Sequence, residues 1–165
     1  MSKKILIVYY SLTGNTKYIA EIIQEVTNAD ILPIKPIKEL NPKGAMKFIW
    51  GGAQATMKKK PKLEPFEIDP DDYDILFLGT PVWAWTFSPP IRSFLSKFDL
   101  SETNVAIWIC HGGGPGKTLK RLKDYTKALK ILGEIDFFDP LKNNPEEAKE
   151  KVLVWANDII KGNQL

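Results

Sequence analysis

The sequence predicts a doubly wound α/β sandwich on a five-stranded parallel sheet, and three observations carry that expectation. Residues 5–10 (ILIVYY), 75–79 (ILFLG) and 105–110 (VAIWIC) are apolar runs of the kind that strands buried on both faces require. Between and after them, apolar residues recur at helical spacing, so strand and helix alternate along the chain. The turns that follow the three runs are unusual in composition, and in such a sheet all three emerge at the carboxyl edge, where ligands bind. A chain of 165 residues suits one domain over 1–165, large enough to bury roughly 70% of its unfolded surface.

Composition excludes several function classes. Hydrophobic residues make up 44% and charged residues 26%, ordinary for a soluble globular protein. No apolar run reaches the ~20 residues of a membrane span. No small-residue cleavage site follows the first apolar run, so a cytoplasmic protein is expected. One cysteine rules out an internal disulfide and any multi-cysteine metal site, and no metal is expected. The net charge of +3 is too small to imply nucleic acid.

The first turn reads Ser11-Leu12-Thr13-Gly14-Asn15-Thr16, and Tyr18, Ile19, Ile22, Ile23 and Val26 then mark a helix over 17–27. Such a turn gathers unsatisfied N–H groups, the positive end of a helix and three hydroxyls around one point. It is either an anion site suited to a phosphate ester or an ordinary capped turn. It holds no Lys or Arg, so a phosphate there would be held by hydrogen bonds alone. Residues 29–34 form a short strand that Pro33 and Pro36 push to the sheet edge. In residues 41–57, Ala45, Ile49, Ala53 and Met57 share a helical face with Met46 and Trp50 beside it, but Gly51-Gly52 interrupts the pattern. This segment is expected either to cover the sheet or partly to lid the cleft, with Trp50 in the core. Lys58-Lys59-Lys60-Pro61-Lys62 reads as a solvated loop. Asp69, Asp71, Asp72 and Asp74 then lead into the second run.

The second turn is Thr80-Pro81-Val82-Trp83-Ala84-Trp85-Thr86-Phe87. Large aromatics gain nothing from water, so they either fold back on the core or make a platform for a flat ring. Trp83 is the leading candidate for the platform, with Trp85 or Phe87 packing on the next helix. Ser88 is expected to cap that helix, which starts at Pro89-Pro90 and continues through Ile91, Phe94, Leu95 and Phe98. The third turn, residues 111–118 (HGGGPGKT), nearly spells the phosphate loop of nucleotide hydrolases. His111 stands where its first glycine should be, and no companion strand ends in a magnesium-binding Asp, so that reading is set aside. Its glycines instead let the backbone approach a ligand edge. His111 is the single histidine and the one candidate for proton transfer; Cys110 reads as a small buried hydrophobe. A helix over 115–130 is expected to stop near Gly133 as a left-handed residue, and residues 134–138 to form the last strand. Asn144 ahead of Pro145-Glu146-Glu147 caps a final helix with Val152, Leu153, Trp155, Ala156, Ile159 and Ile160 on its buried stripe.

Taken together, the three turns resemble the loops of the flavodoxin-like FMN proteins, in their short-chain form and over essentially the whole chain. The resemblance implies strand order 2-1-3-4-5 and a non-covalent FMN. Ser11, Thr13, Gly14, Asn15 and Thr16 would hold its phosphate. Thr80, Pro81, Val82, Trp83, Ala84 and Trp85 would line one side of the isoalloxazine, and Cys110, His111, Gly112 and Gly113 the other side or its pyrimidine edge. Three departures from the electron carriers of that family bear on function. The chain is net positive, with Arg92, Lys117, Lys120 and Arg121 expected around the site and the Asp69 to Asp74 cluster at the far end. Trp83-Ala84-Trp85-Thr86 lacks the Gly-acidic pair that tunes one-electron chemistry in the carriers, and the third turn has no aromatic to cover the ring. The resemblance thus implies an oxidoreductase passing electrons from NAD(P)H through FMN to a quinone-like or other small acceptor, with His111 stabilising reduced flavin or protonating the acceptor. The alternative is a flavodoxin-type one-electron carrier between redox partner proteins. A homodimer is compatible with either; nucleic acid and a membrane span are not expected.

Overall fold

The computed structural model describes residues 3–41 and 43–163. Its strands are β1 (Ile5–Tyr9), β2 (Asp30–Pro33), β3 (Ile75–Trp83), β4 (Thr86–Phe87), β5 (Asn104–His111) and β6 (Lys130–Phe138). Five of them run parallel in the order β2-β1-β3-β5-β6, and β4 turns back antiparallel on the end of β3. With β4 set aside this is the expected 2-1-3-4-5 order. The helices are α1 (Asn15–Thr27), α2 (Met46–Thr56), α3 (Pro89–Leu95), α4 (Thr118–Thr126) and α5 (Pro145–Gly162).

Strand residues alternate between two cores, as the period of two requires. On one face Leu6, Val8, Leu76, Leu78, Val105 and Ile107 pack with Phe87, Ile91, Phe94 and Leu122. On the other, Ile7, Phe77, Ala106 and Trp108 pack with Ile19 and Ile23 of α1 and Val152 and Ala156 of α5. Gly79 lets the second core close, because a Cβ there would land on the Trp108 ring. The acidic cluster precedes β3 at the amino edge, where Asp74 Oδ2 accepts the Lys4 N–H at 2.8 Å. That leaves the carboxyl edge to the three turns.

Several expectations need correction. The second turn is mostly sheet: β3 runs on through Trp83, and only Ala84 and Trp85 form the bend to β4. Ser88 precedes α3 without a side-chain cap, because its hydroxyl is paired with Thr80. Helix α4 ends at Thr126 with Lys127 left-handed (φ 49°), and Gly133 lies inside β6, which starts at Lys130. Gly133 is needed there for packing, since a Cβ would come 3.0 Å from Trp155 Nε1. Residues 46–56 do form a helix, but its glycine side faces inward. Gly51 lies against Trp83, where a Cβ would sit 3.2 Å from Cε3, so the helix approaches on the face without side chains. Trp50 consequently points outward and is 57% exposed instead of joining the core.

Candidate functional site

The carboxyl edge carries a cleft of about 620 Å³, a size typical of small-molecule and cofactor sites. All three turns line it, joined by Lys47, Phe48 and Gly52 of α2 and by Asp139, Leu141 and Lys142 after β6.

The first wall is residues 11–16. Chain reversal from β1 into α1 requires a left-handed residue, and Gly14 supplies it at φ 101°. Gly14 is also the helix N-cap and offers no side chain, and the first turn of α1 holds no acid. The amides at the start of α1 therefore have neither a capping oxygen nor a carbonyl four residues back. Ser11 Oγ accepts the Gly14 N–H at 3.2 Å and shapes the loop. Asn15 is spent on structure: its Nδ2 donates to Asp139 Oδ1 at 2.8 Å, and its Oδ1 accepts the Leu141 N–H at 3.1 Å. This clasp joins the first wall to the loop after β6.

The second wall is the β3–β4 hairpin. Ala84 and Trp85 both have positive φ, 49° and 58°, as a two-residue hairpin bend demands. Asn-Gly would suit those positions; a β-carbon at each costs about 1–2 kcal/mol. The strain holds Trp85 at the cleft rim, 67% exposed, with Arg121 Nη1 donating to its carbonyl at 3.1 Å. Trp83 lines the cleft more deeply, in a T-shaped contact with Tyr10 (centroids 5.5 Å) and packed against Gly51. Phe87 is buried under the Arg92 guanidinium and against Tyr125 of α4.

The third wall follows β5. Gly114 N–H can only donate, and it donates to His111 Nδ1 at 3.1 Å. The His111 proton is therefore on Nε2, which donates to Asp136 Oδ2 at 2.9 Å. Both ring nitrogens are occupied, and the side chain is only 7% exposed. The geometry makes His111 a brace for the glycine turn, with no nitrogen free for the proton transfer expected of it. Cys110 is buried, and burial pushes its thiol pKa up to about 12, so it is an inert wall group.

Of the expected site residues, Ser11, Thr13, Asn15, Thr16, Pro81, Val82, Trp83, Ala84, Trp85, Cys110, His111, Gly112 and Gly113 line the cleft. Two do not. Thr80 is fully buried with its hydroxyl tied to Ser88, and Gly14 is outside the lining, where a Cβ would come 3.3 Å from the Leu141 side chain. The basic residues also differ from expectation. Arg92 is sandwiched between Phe87 and Tyr125, Arg121 holds the hairpin, and Lys120 pairs with Asp124 at 2.7 Å. Among the described residues, Lys47 and Lys142 are the cations of the cleft lining. Sequence reasoning missed Asp139, Leu141 and Lys142 because no motif marks them; only the parallel pairing of β6 with β5 brings them to this edge.

Fold and cleft together define an α/β protein of flavodoxin-like topology, whose site offers amides and hydroxyls at one end and aromatic and glycine walls at the other. The sequence profile of the flavodoxin family matches residues 4–159, and the chain belongs to that family. Among solved structures, it is similar to a flavoprotein of Lactobacillus acidophilus in complex with FMN. Identity is 24% and the TM-score 0.71, over 88% of this chain and 99% of that one. The apo form of the same protein gives 24% identity and a TM-score of 0.63 over 87% and 97%. Two-electron reduced flavodoxin of Megasphaera elsdenii gives 20% and 0.56 over 93% and 98%. No curated protein matches the chain.

Proposed function

We propose that this chain binds FMN in the carboxyl-edge cleft and passes electrons from NAD(P)H to a quinone-like or other small acceptor. The observation that carries the reading is the convergence of the uncapped amino end of α1, the strained Trp85 hairpin and the braced glycine turn on one cleft. The residues present fit that cofactor. Ser11, Thr13 and Thr16, with the amides at the start of α1, would hold the phosphate without a cation in the loop. Pro81, Val82, Trp83, Ala84 and Trp85 would hold one side of the ring, and Cys110 to Gly113 the other. When bound, FMN supplies hydride acceptance and electron transfer.

The chain's own residues supply position and charge. His111 fixes the glycine turn, so that its backbone amides stay oriented toward the ring edge. Phe48, Trp83 and Trp85 exclude water from the ring side, and Lys47 and Lys142 attract an anionic nicotinamide. The net reaction oxidises NAD(P)H and reduces a quinone by two electrons and two protons, one of them from solvent. Steady-state assays of FMN-loaded protein with NADH and NADPH test the reading, and absence of turnover with both would sink it. A one-electron carrier is the second reading, favoured by Asp139 on the cleft wall, since negative charge beside a flavin disfavours its reduced anion. It predicts stepwise one-electron reduction and no nicotinamide turnover.

A further inference from the structure

Helix α2 presents its apolar stripe to solvent. Gly51 and Ala55 are buried against the protein, whereas Met46, Ile49, Trp50 and Met57 are 54%, 62%, 57% and 64% exposed on the opposite side. Their spacing is that of one helical stripe. Phe48, 73% exposed, lies on the other side of the helix, where it lines the cleft. So many large apolar side chains together mark a surface that something covers. The charge around it indicates what. Between Glu39 and Glu64 the chain has no acid and six lysines, at 43, 47, 58–60 and 62. Those six exceed the net charge of the whole chain, +3, so the remainder is net negative and positive charge is concentrated in the segment that carries this helix.

We infer that α2 seats the protein on an anionic lipid surface. Met, Ile and Trp on one side, with lysines flanking the helix in sequence, is the composition of a helix lying at the headgroup boundary. Among the described residues no helix is long and apolar enough to cross a membrane, so α2 lies on the surface. A second copy of the chain suits the stripe less well. Pairing α2 with its own copy across a two-fold axis would bring like lysine clusters together. An acidic protein would satisfy the lysines but would need its own apolar patch. Because α2 also borders the cleft, docking would hold the cleft near a lipid-soluble quinone; that consequence rests on the proposed function, whereas the docking itself does not.

Flotation of the full chain with extruded vesicles tests the inference. The protein is expected to float with phosphatidylcholine–phosphatidylglycerol vesicles, to stay behind with phosphatidylcholine alone, and to be released by high salt. Ile49→Ser combined with Trp50→Ser should reduce partitioning by about tenfold or more, with the melting temperature unchanged because both side chains are exposed. Changing Lys58, Lys59 and Lys60 to Gln should abolish the preference for anionic lipid. No flotation, or equal flotation of the wild type and the double serine variant, would overturn the inference. So would a solution dimer that the double variant dissociates, which would make a second copy the occupant. The visible flavin spectrum, recorded on the same samples, separates the two proposals. Loss of flotation with flavin bound counts against docking alone, and loss of flavin with flotation intact counts against the proposed function alone.

Discussion

Tyr10 is where a single hydroxyl links stability to pH. Its ring is buried under Trp83, and its OH donates to Glu39 at 2.7 Å. Burial first, then that bond, raises the phenol pKa above its ordinary value of 10.0. Tyr73 is pushed up to about 12, chiefly by its bond to Asp30. A pKa raised on folding gives stability that is fully present below the unfolded value and is lost as pH rises toward the folded one. Urea melts should therefore show stability falling above pH 10. Tyr10→Phe should flatten part of that fall and cost about 1 kcal/mol at neutral pH. Cys110 makes a second prediction at this scale. With its thiol raised by burial to about 12, it should resist iodoacetamide in the folded protein at mildly alkaline pH and react promptly once unfolded. Fast alkylation of the folded state would contradict the assignment of Cys110 as an inert wall.

At the scale of elements, the β3–β4 hairpin is a place where local preference is overruled. Ala84→Gly removes one left-handed β-carbon and is expected to raise stability by about 1 kcal/mol, read as a higher urea midpoint. Trp85→Gly relieves similar strain, yet should weaken FMN binding at least tenfold by removing the exposed ring. A variant that is more stable but binds less well would show that the strain serves the site. Helix α2 rests on a different device. Gly51→Val would push it off Trp83 and should lower both stability and flavin affinity. The sequence reads well where pattern is local: the apolar runs specify β1, β3 and β5, and Asn144 caps α5 by accepting the Glu147 N–H at 3.2 Å. It reads poorly where tertiary contact decides. The apolar side of α2 resembles a core face, and only the fit of Gly51 on Trp83 turns it outward. Gly133 resembles a helix stop, and only its contact with Trp155 and Ile159 explains a glycine inside β6.

For the whole molecule, the strand order is what makes a site. Placing β1 and β3 side by side, with β5 next, brings the three turns to one edge, and β6 adds the Asn15–Asp139 clasp that no motif announced. The composition of the turns was legible because their residues are unusual for loops. His111 was not, because its role depends on Gly114 and Asp136, the second of them 25 residues away. A ligand that binds only the folded state stabilises it by RT ln(1 + [L]/Kd), about 2.7 kcal/mol at a hundredfold excess over Kd. Thermal melts of the apoprotein should thus rise with FMN concentration. The most direct test compares FMN with riboflavin, which differ only in the phosphate, by titrating apoprotein against each and following flavin fluorescence. If residues 11–16 hold the phosphate, FMN should bind at least about a hundredfold more tightly, and Thr13→Val should narrow the gap. Equal affinity for the two flavins, or no binding of either, would contradict the account.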